Sequence, residues 1–515
     1  ALLPVERQNL EAADTMAASA VALIHSAEPI LQAVAGDGNT VTGGQVPLDR
    51  IRALEGVTAT GAAAAAASEV QIDNAQSAML LPPIASQVAG MRAKLQEVSN
   101  SLTDALDTER LLVSMLGGEA GASTRRYFVA FTTPSELRGA TGIIANYGEV
   151  TADDGRVSLT RFGRMEELAS HAPATPNGPG WDAQFAATYG SILTGALWQN
   201  VTISPDFPTA ARAIEALYRQ SGGEPVNGVI AIDPQGLSAL LALEGPVTVP
   251  EWPQPITAGT VVGILEHQQY NQIVDTNRRV AFLSDLAAAV IDGMNHQRTA
   301  DMVQVARMVG SALRGKHLLL ASSYPDEEAT LVRLGVAGAL PGAGGDVLGV
   351  FSVNASTNKA DWYLRREIDD RVVVTRCCTS AVVTITLRNE APDTGQAAAI
   401  LQGTPGAAAP GHNHQILSVL TPWNFASATV DGIPATVNEA PWAAMKLFSM
   451  LIDIPPGSVA IVQLRLSGSR PKTRYELELV EQPIAHPDSF HVDWIEDGSE
   501  RRVQIRAVES DLRFG

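Results

Sequence analysis

The sequence predicts a multidomain α+β protein with a helical N-terminal stalk, a central α/β domain and a C-terminal β-sandwich. Three observations point there: a helical period through the first ~118 residues, strands alternating with helices from Arg126, and short strands punctuated by Pro and Gly from about Asp346. The expected domains are residues 1–120, 121–345 and 346–515. A length of 515 residues fits about three domains at roughly 100–200 residues each.

In the first region Val88, Met91, Leu95, Val98 and Leu102 recur three and four apart, with Arg92, Lys94, Glu97 and Asp104 between them. That spacing lays one apolar seam along a helix, as in a helical hairpin or bundle. Residues 4–35 and 47–81 are Ala-rich and helical in period, separated by a Gly-rich loop at 36–45. Gly117, Gly118 and Gly121 mark the end. No catalytic constellation shows in this stalk.

In the central region residues 127–133, 143–151 and 156–162 read as strands, the last two joined by Ala152-Asp153-Asp154-Gly155. Helices are expected at 183–199, 209–221, 260–270 and 278–294, and buried strands at 228–232 and 317–322. The last third offers strands at 372–375, 381–387, 416–420, 459–466 and 473–479, with a flexible loop at 404–411.

Composition narrows the function. With 45% hydrophobic and 18% charged residues the chain is globular rather than disordered. Fifty-five acidic against 36 basic residues give a net charge of −19, a field that repels nucleic acid, and no basic run opposes it. Cys377 and Cys378 are the only cysteines, so a disulfide framework and a four-cysteine zinc site are both excluded. The pair reads either as a vicinal disulfide or as two thiols on opposite faces of a strand over 371–379. No stretch reaches the roughly 18 apolar residues of a membrane span. Residue 1 is Ala, which reads as the start of a trimmed mature chain.

Three segments carry candidate chemistry. Glu136-Leu137-Arg138-Gly139-Ala140-Thr141-Gly142, between two strands, can aim backbone N–H groups and a guanidinium at an anion, or form a turn with Arg138 paired to Glu136. Asp233 ends a buried strand, where open α/β sheets place ligands, and Asp233-Pro234 is equally a helix start. Asp206, in Ser204-Pro205-Asp206-Phe207-Pro208, has the same two readings. Asp275, Arg278 and Arg279 precede a long helix, where two arginines can clamp a phosphate while the acid holds Mg²⁺. His412-Asn413-His414 puts two imidazoles on one strand face with no third metal ligand nearby in sequence. Nucleophile-elbow, P-loop and Rossmann fingerprints are absent, while a carboxylate pair for glycan hydrolysis has no fixed spacing.

These segments, with Gly245-Pro246-Val247-Thr248-Val249 and Asn354-Ala355-Ser356-Thr357-Asn358-Lys359, resemble the bacterial family of domain of unknown function 4012 over about residues 126–374. Ile143 departs from the family, which often has glycine there. The resemblance implies an extracytoplasmic protein of actinobacterial and related envelopes, membrane-anchored through a helix preceding this sequence. The central domain also resembles, remotely, the LytR-CpsA-Psr phosphotransferases. That likeness implies transfer of a glycan phosphate from a polyprenyl-pyrophosphate carrier to the cell wall. In that reading Arg138, Asp233, Asp275, Arg278 and Arg279 are catalytic, Glu136, Thr141 and Tyr270 bind substrate, and Asp206 and Asp275 hold Mg²⁺. The other expectations are a non-enzymatic envelope protein that binds glycan or lipid phosphate, and a glycan hydrolase. The implied partner is a lipid-linked glycan or cell-wall polysaccharide.

Overall fold

The computed structural model describes residues 4–35, 40–76, 79–119, 124–174, 185–186, 188–189, 197–296, 300–342, 345–403, 409–470 and 474–514. Two compact units emerge: residues 1–125 with 151–158 and 294–305, and residues 126–150 with 159–293 and 306–515.

The first unit is built on helices Pro4–Ala35, Leu48–Ala75 and Pro82–Met115. The expected helix over 47–81 ends at Ala75, and Pro82 opens the next, since proline suits the first helical turn, where its missing N–H costs nothing. Small residues set the packing. A Cβ on Gly61 would lie 2.9 Å from Ile30 Cδ1, and Ala12, Ala65, Ile72, Val88 and Leu95 are buried. Val98 leaves the expected seam and is 37% exposed.

The helix Pro4–Ala35 is apolar on two sides. Ala12, Met16, Ser19 and Leu23 face inward, whereas Leu10, Val21, Ile24 and Leu31, opposite them by helical period, are exposed. By length and a mean hydropathy of 1.2 it is long and apolar enough to cross a membrane. It holds no unbroken run of about 18 apolar residues, because polar residues are scattered along it. A signal sequence passes the same test.

The second unit holds three sheets. A five-stranded sheet runs in the order Arg156–Arg164, Gly142–Asp153, Arg125–Leu137, Gly228–Ile232 and Leu318–Ser322. The Gly228–Ile232 strand is parallel to Arg125–Leu137 and antiparallel to Leu318–Ser322. The helix Phe207–Gln220 lays Ala210, Ile214 and Leu217 on the same core as Phe128, Ala130 and Val229. The expected helix at 183–199 and loop at 404–411 fall mostly outside the described residues.

A seven-stranded and a six-stranded sheet form the C-terminal region. They share a core in which Ile368, Val383 and Val462 of the first meet Leu417, Phe448 and Ile452 of the second, a sandwich built on period-2 alternation. Several of its strands, such as Met445–Ile454 and Asp488–Glu496, went unread in the sequence. The core holding Phe128 also takes in Phe351, Leu420, Leu447 and Val480, so packing is continuous across residue 346.

The expected strand over 371–379 is interrupted. Leu364–Val374 and Cys378–Asn389 are two antiparallel strands, and both cysteines are exposed at the turn between them. The side-chain and backbone bonds of Thr375 to Cys378 close that turn.

Phe448→Ala should cost about 3–5 kcal/mol in chemical denaturation, because it opens a cavity between the two sheets. Ile461→Ala, on an exposed face, should stay within about 0.5 kcal/mol.

Candidate functional site

The loop after Arg125–Leu137 is a tight turn in which the Arg138 N–H donates to the Thr141 carbonyl at 2.8 Å. Its glycines serve close backbone packing. A Cβ on Gly139 would fall 2.2 Å from the Ile203 carbonyl oxygen, and one on Gly142 1.9 Å from the Thr133 oxygen. The backbone they approach is the protein's own, at the Ser204-Pro205 segment and the preceding strand, rather than an anion.

Arg138 is 1% exposed. Its Nε donates to the Gln199 carbonyl at 2.9 Å and Asn200 Oδ1 at 3.1 Å, and its Nη1 to the carbonyls of Leu137 at 2.8 Å and Asn354 at 3.4 Å. Gln482 Nε2 in turn donates to the Arg138 carbonyl at 2.8 Å. Asp361 balances the charge from nearby, its carboxylate accepting from the Leu137 N–H at 2.8 Å, Asn354 at 2.8 Å and Asn413 at 2.6 Å. Burial lifts the Asp361 carboxyl to about 6, against the pull of these donors.

Glu136 points elsewhere. It accepts from Lys359 Nζ at 2.7 Å, and that ammonium lies 4.8 Å from the Tyr270 ring centroid. The Arg279 guanidinium lies 5.2 Å from the same ring's centroid. Burial opposes the Lys359 charge, and Glu136 more than offsets it, leaving the amine above its ordinary range. Glu266 joins this cluster from a π-helical turn, Ile264–Gln268, a geometry frequent at functional sites. Its Oε2 accepts from the Thr133 hydroxyl at 2.9 Å and the Ser135 N–H at 2.7 Å, while Oε1 has no partner. Burial pushes this carboxyl up to about 7, against the Ser135 and Thr133 bonds.

The structure therefore brings Lys359 and Arg279 to the Tyr270 ring, with Glu136 between Lys359 and the field of Arg138, while Arg278 turns to Glu251. Arg278 is exposed and bridges to Glu251 at 2.6 Å; Arg279 donates to the Ile273 carbonyl at 2.9 Å. The three arginines have separate partners: internal carbonyls for Arg138, Glu251 for Arg278 and the Ile273 carbonyl for Arg279. Thr141 is buried against Thr132, hydroxyl to hydroxyl at 2.8 Å.

The acids named for Mg²⁺ serve separate helix starts. Asp206 accepts from the Thr209 N–H at 3.0 Å and the Leu340 N–H at 3.0 Å, and Asp275 from the Arg278 N–H at 2.8 Å. Carboxylates spent on different helix N-termini do not fit one shared ion. Asp233 likewise caps Pro234–Glu244 through the Gly236 N–H at 2.9 Å, and its other oxygen lies 2.7 Å from His317 Nδ1. Burial disfavours the charged His317, but Asp233 outweighs it and raises the imidazole. His412 and His414 share Asp453, at 2.9 Å and 3.4 Å, a partner that sequence distance concealed. One group among the described residues has metal-ligand spacing, Glu367, Asp369 and His491, on a half-exposed face of the seven-stranded sheet.

A cavity of about 280 Å³ opens beside the loop. Gly139, Ile203 and Pro205 line it together with Phe351, Val353, Ile416, Leu447 and Met450, and no Lys, Arg, His, Asp or Glu is among the described lining residues. Its polar groups are hydroxyls and one amide: the Ser418–Ser449 pair at 2.8 Å, Thr188, Asn438 and Tyr189. The Tyr189 hydroxyl lies near Ser204 yet makes no hydrogen bond of acceptable geometry.

Residues 123–270 match the model of a family described as a protein of unknown function, DUF4012. Over these residues the chain is similar to that family. The match takes in the Glu136–Gly142 loop, the Ser204–Pro208 segment, Asp233 and the π-helical turn. No curated protein matches the chain. Among solved structures, a candidate nutrient binding protein from Legionella pneumophila is 7% identical, with 33% of this chain against 70% of that one at a TM-score of 0.24. An M1 zinc metallopeptidase from Deinococcus radiodurans is 13% identical, with 25% of this chain against 32% of that one at a TM-score of 0.14. The chain thus spans about a third of that peptidase. At such scores neither likeness bears on fold or function.

Lys359, Glu266, Asp361 and His317 carry the buried polar contacts and were not singled out in the sequence. Lys359 alone had a signal, as the last residue of the Asn354–Lys359 motif.

Lys359→Ala should lower stability by about 3 kcal/mol, because it leaves the largely shielded Glu136 carboxylate without its ammonium. Lys359→Met combined with Glu136→Gln should recover most of that loss in the same denaturation assay. The Glu266 carboxyl is higher in the folded state than unfolded, so between pH 4.5 and 7 the folded chain binds more protons. Stability should therefore fall as pH rises through that window, and Glu266→Gln should flatten the fall.

Proposed function

We propose that this chain is a non-enzymatic, membrane-anchored protein of the cell envelope that holds the apolar tail of an isoprenoid or acyl lipid in the cavity beside Gly139. The observation that carries this reading is the cavity's lining: the family-matched loop and the Ser204-Pro205 segment supply apolar walls without a cation. A pyrophosphate needs several fixed charged donors, and the arginines nominated for that task are spent on internal carbonyls or on Glu251. An apolar chain needs only a dry wall. Each methylene buried contributes about 0.8 kcal/mol, so micromolar affinity, about −8 kcal/mol, asks for on the order of ten. The Tyr189 and serine hydroxyls can bind a single neutral polar group along such a chain. The exposed apolar stripe of Pro4–Ala35 supports the anchor, either inserting into a bilayer or lying on it.

The test is equilibrium binding of a fluorescent long-chain fatty acid and of polyprenyl phosphate, with Mg²⁺ and with chelator. Binding should be indifferent to chelation and weaken at least about tenfold in Ala440→Phe, which fills the cavity. Full affinity in that variant would refute the reading. Mg²⁺-dependent transfer of a glycan phosphate, lost in Arg278→Ala, would restore the phosphotransferase.

A further inference from the structure

Cys377 and Cys378 are the chain's only cysteines, and both are free and exposed at the tip of the hairpin joining Leu364–Val374 to Cys378–Asn389. Thr375 organises that tip. Its N–H and its hydroxyl each donate to the Cys378 carbonyl at 2.8 Å, and its Oγ1 lies 3.5 Å from Cys377 Sγ and 3.3 Å from Cys378 Sγ. One oxygen therefore sits against both sulfurs. The turn is braced from the side by Arg470, whose Nη1 donates to the Thr375 carbonyl at 3.1 Å while Nη1 and Nη2 grip Asp497 at 2.9 Å and 2.8 Å. Beside Thr375 lies an open depression of about 520 Å³, lined by Thr375, Arg376, Arg470, Ile495 and Asp497, with the two cysteines just outside its lining.

We propose that Cys377-Cys378 is a thiol–disulfide exchange site for small acidic disulfides, with Arg376 at the depression receiving a carboxylate of the incoming molecule. The Cys377 thiolate attacks one sulfur of the disulfide RSSR, the S–S bond breaks, and RS⁻ leaves and takes up a proton. Cys378, deprotonated by solvent, then attacks Cys377 Sγ in the mixed disulfide. A second RS⁻ is expelled, and a vicinal disulfide closes. The two cysteines lose two electrons and two protons, and RSSR becomes two RSH. Hydrogen bonds from Cys378, then Thr375, lower the Cys377 thiol, which makes it the attacking group. Neighbouring Cα atoms are about 3.8 Å apart, shorter than the usual disulfide range, so the closed ring is strained and readily reduced again. The site is thus reversible by the same thiols that it releases.

The experiment uses the full chain, reduced, with oxidised glutathione as the acidic disulfide and hydroxyethyl disulfide as a neutral one, followed by intact mass. Wild type should pass through one adduct and end two hydrogens lighter with none. Cys378→Ser should stop at a single stable adduct, and Cys377→Ser should react about tenfold more slowly. Glutathione should react faster than the neutral disulfide, and Arg376→Ala should remove that advantage. Stable double adducts in wild type, no reaction, or equal rates for the two serine variants would overturn the exchange site. Equal rates for the two disulfides would overturn its preference for acids.

Discussion

A guanidinium shut away from water has to find its acceptors inside the protein, and Arg138 imposes that demand on its own strand and on two distant stretches of chain. Its donors reach carbonyls at Leu137, Gln199 and Asn354 and the side chain of Asn200, while its own carbonyl is held by Gln482. The four acceptors come from three elements: the end of a central strand, the short helix Leu197–Asn200, and the strand Asp346–Asn354 of the C-terminal sheet. Removing any one of them strands a buried charge, which costs far more than the bond is worth. The α/β sheet and the sandwich are therefore fastened at a point where apolar packing alone would leave their relative register free.

The neighbouring features follow from that fastening. Drawing the loop against residues 203–205 leaves no room for a Cβ at 139, and turning back into the next strand leaves none at 142. Glu136, two residues before Arg138, is set against Lys359 and Tyr270. Asp361 then ties the Leu137 N–H to Asn354 and Asn413. The motif looks like an anion cradle in one dimension because the same residue types, an arginine, an acid and glycines, satisfy a buried cation in three. What the loop leaves open to a ligand is its apolar side, at Gly139.

Much of the architecture was legible where period and punctuation agree. The N-terminal helices, the strand Gly228–Ile232 and the helix after Asp206 follow from spacing and capping residues within a few positions of one another. The capping readings of Asp206 and Asp233 were legible for the same reason. Strands such as Asp488–Glu496 escaped because their inward positions include Asp488, which breaks the apolar alternation and is buried only by virtue of Arg366, 122 residues away. Lys359 and Glu136 are 223 residues apart, and His412 and Asp453 are 41 apart. Pairings of that range are properties of the fold, and no local pattern encodes them. The strand over 371–379 was misread for the opposite reason: a turn of three residues fits inside what the local composition describes as one continuous strand, while the two thiols are free, as one of the two readings had them.

Burial also changes what the acidic composition means. The formal charge of −19 counts every carboxyl as ionised. Glu266 and Asp346 are lifted by burial to about 7, Asp361 to about 6 and Glu481 to about 8. At pH 7 Glu481 is mostly protonated, Glu266 and Asp346 about half so and Asp361 mostly ionised, which brings the net charge to about −17. The correction falls on the interior, where Asp346 is paired with Tyr475 at 2.6 Å and Glu481 lies near Lys316 and His317. The surface keeps its negative field and continues to repel polyanions. Around the loop Arg138 and Lys359 are offset by Glu136 and Asp361, and an apolar wall with no net charge favours an apolar guest over a charged one. A protein can in this way present a strongly acidic exterior to the solvent and still keep a place for a lipid tail within it.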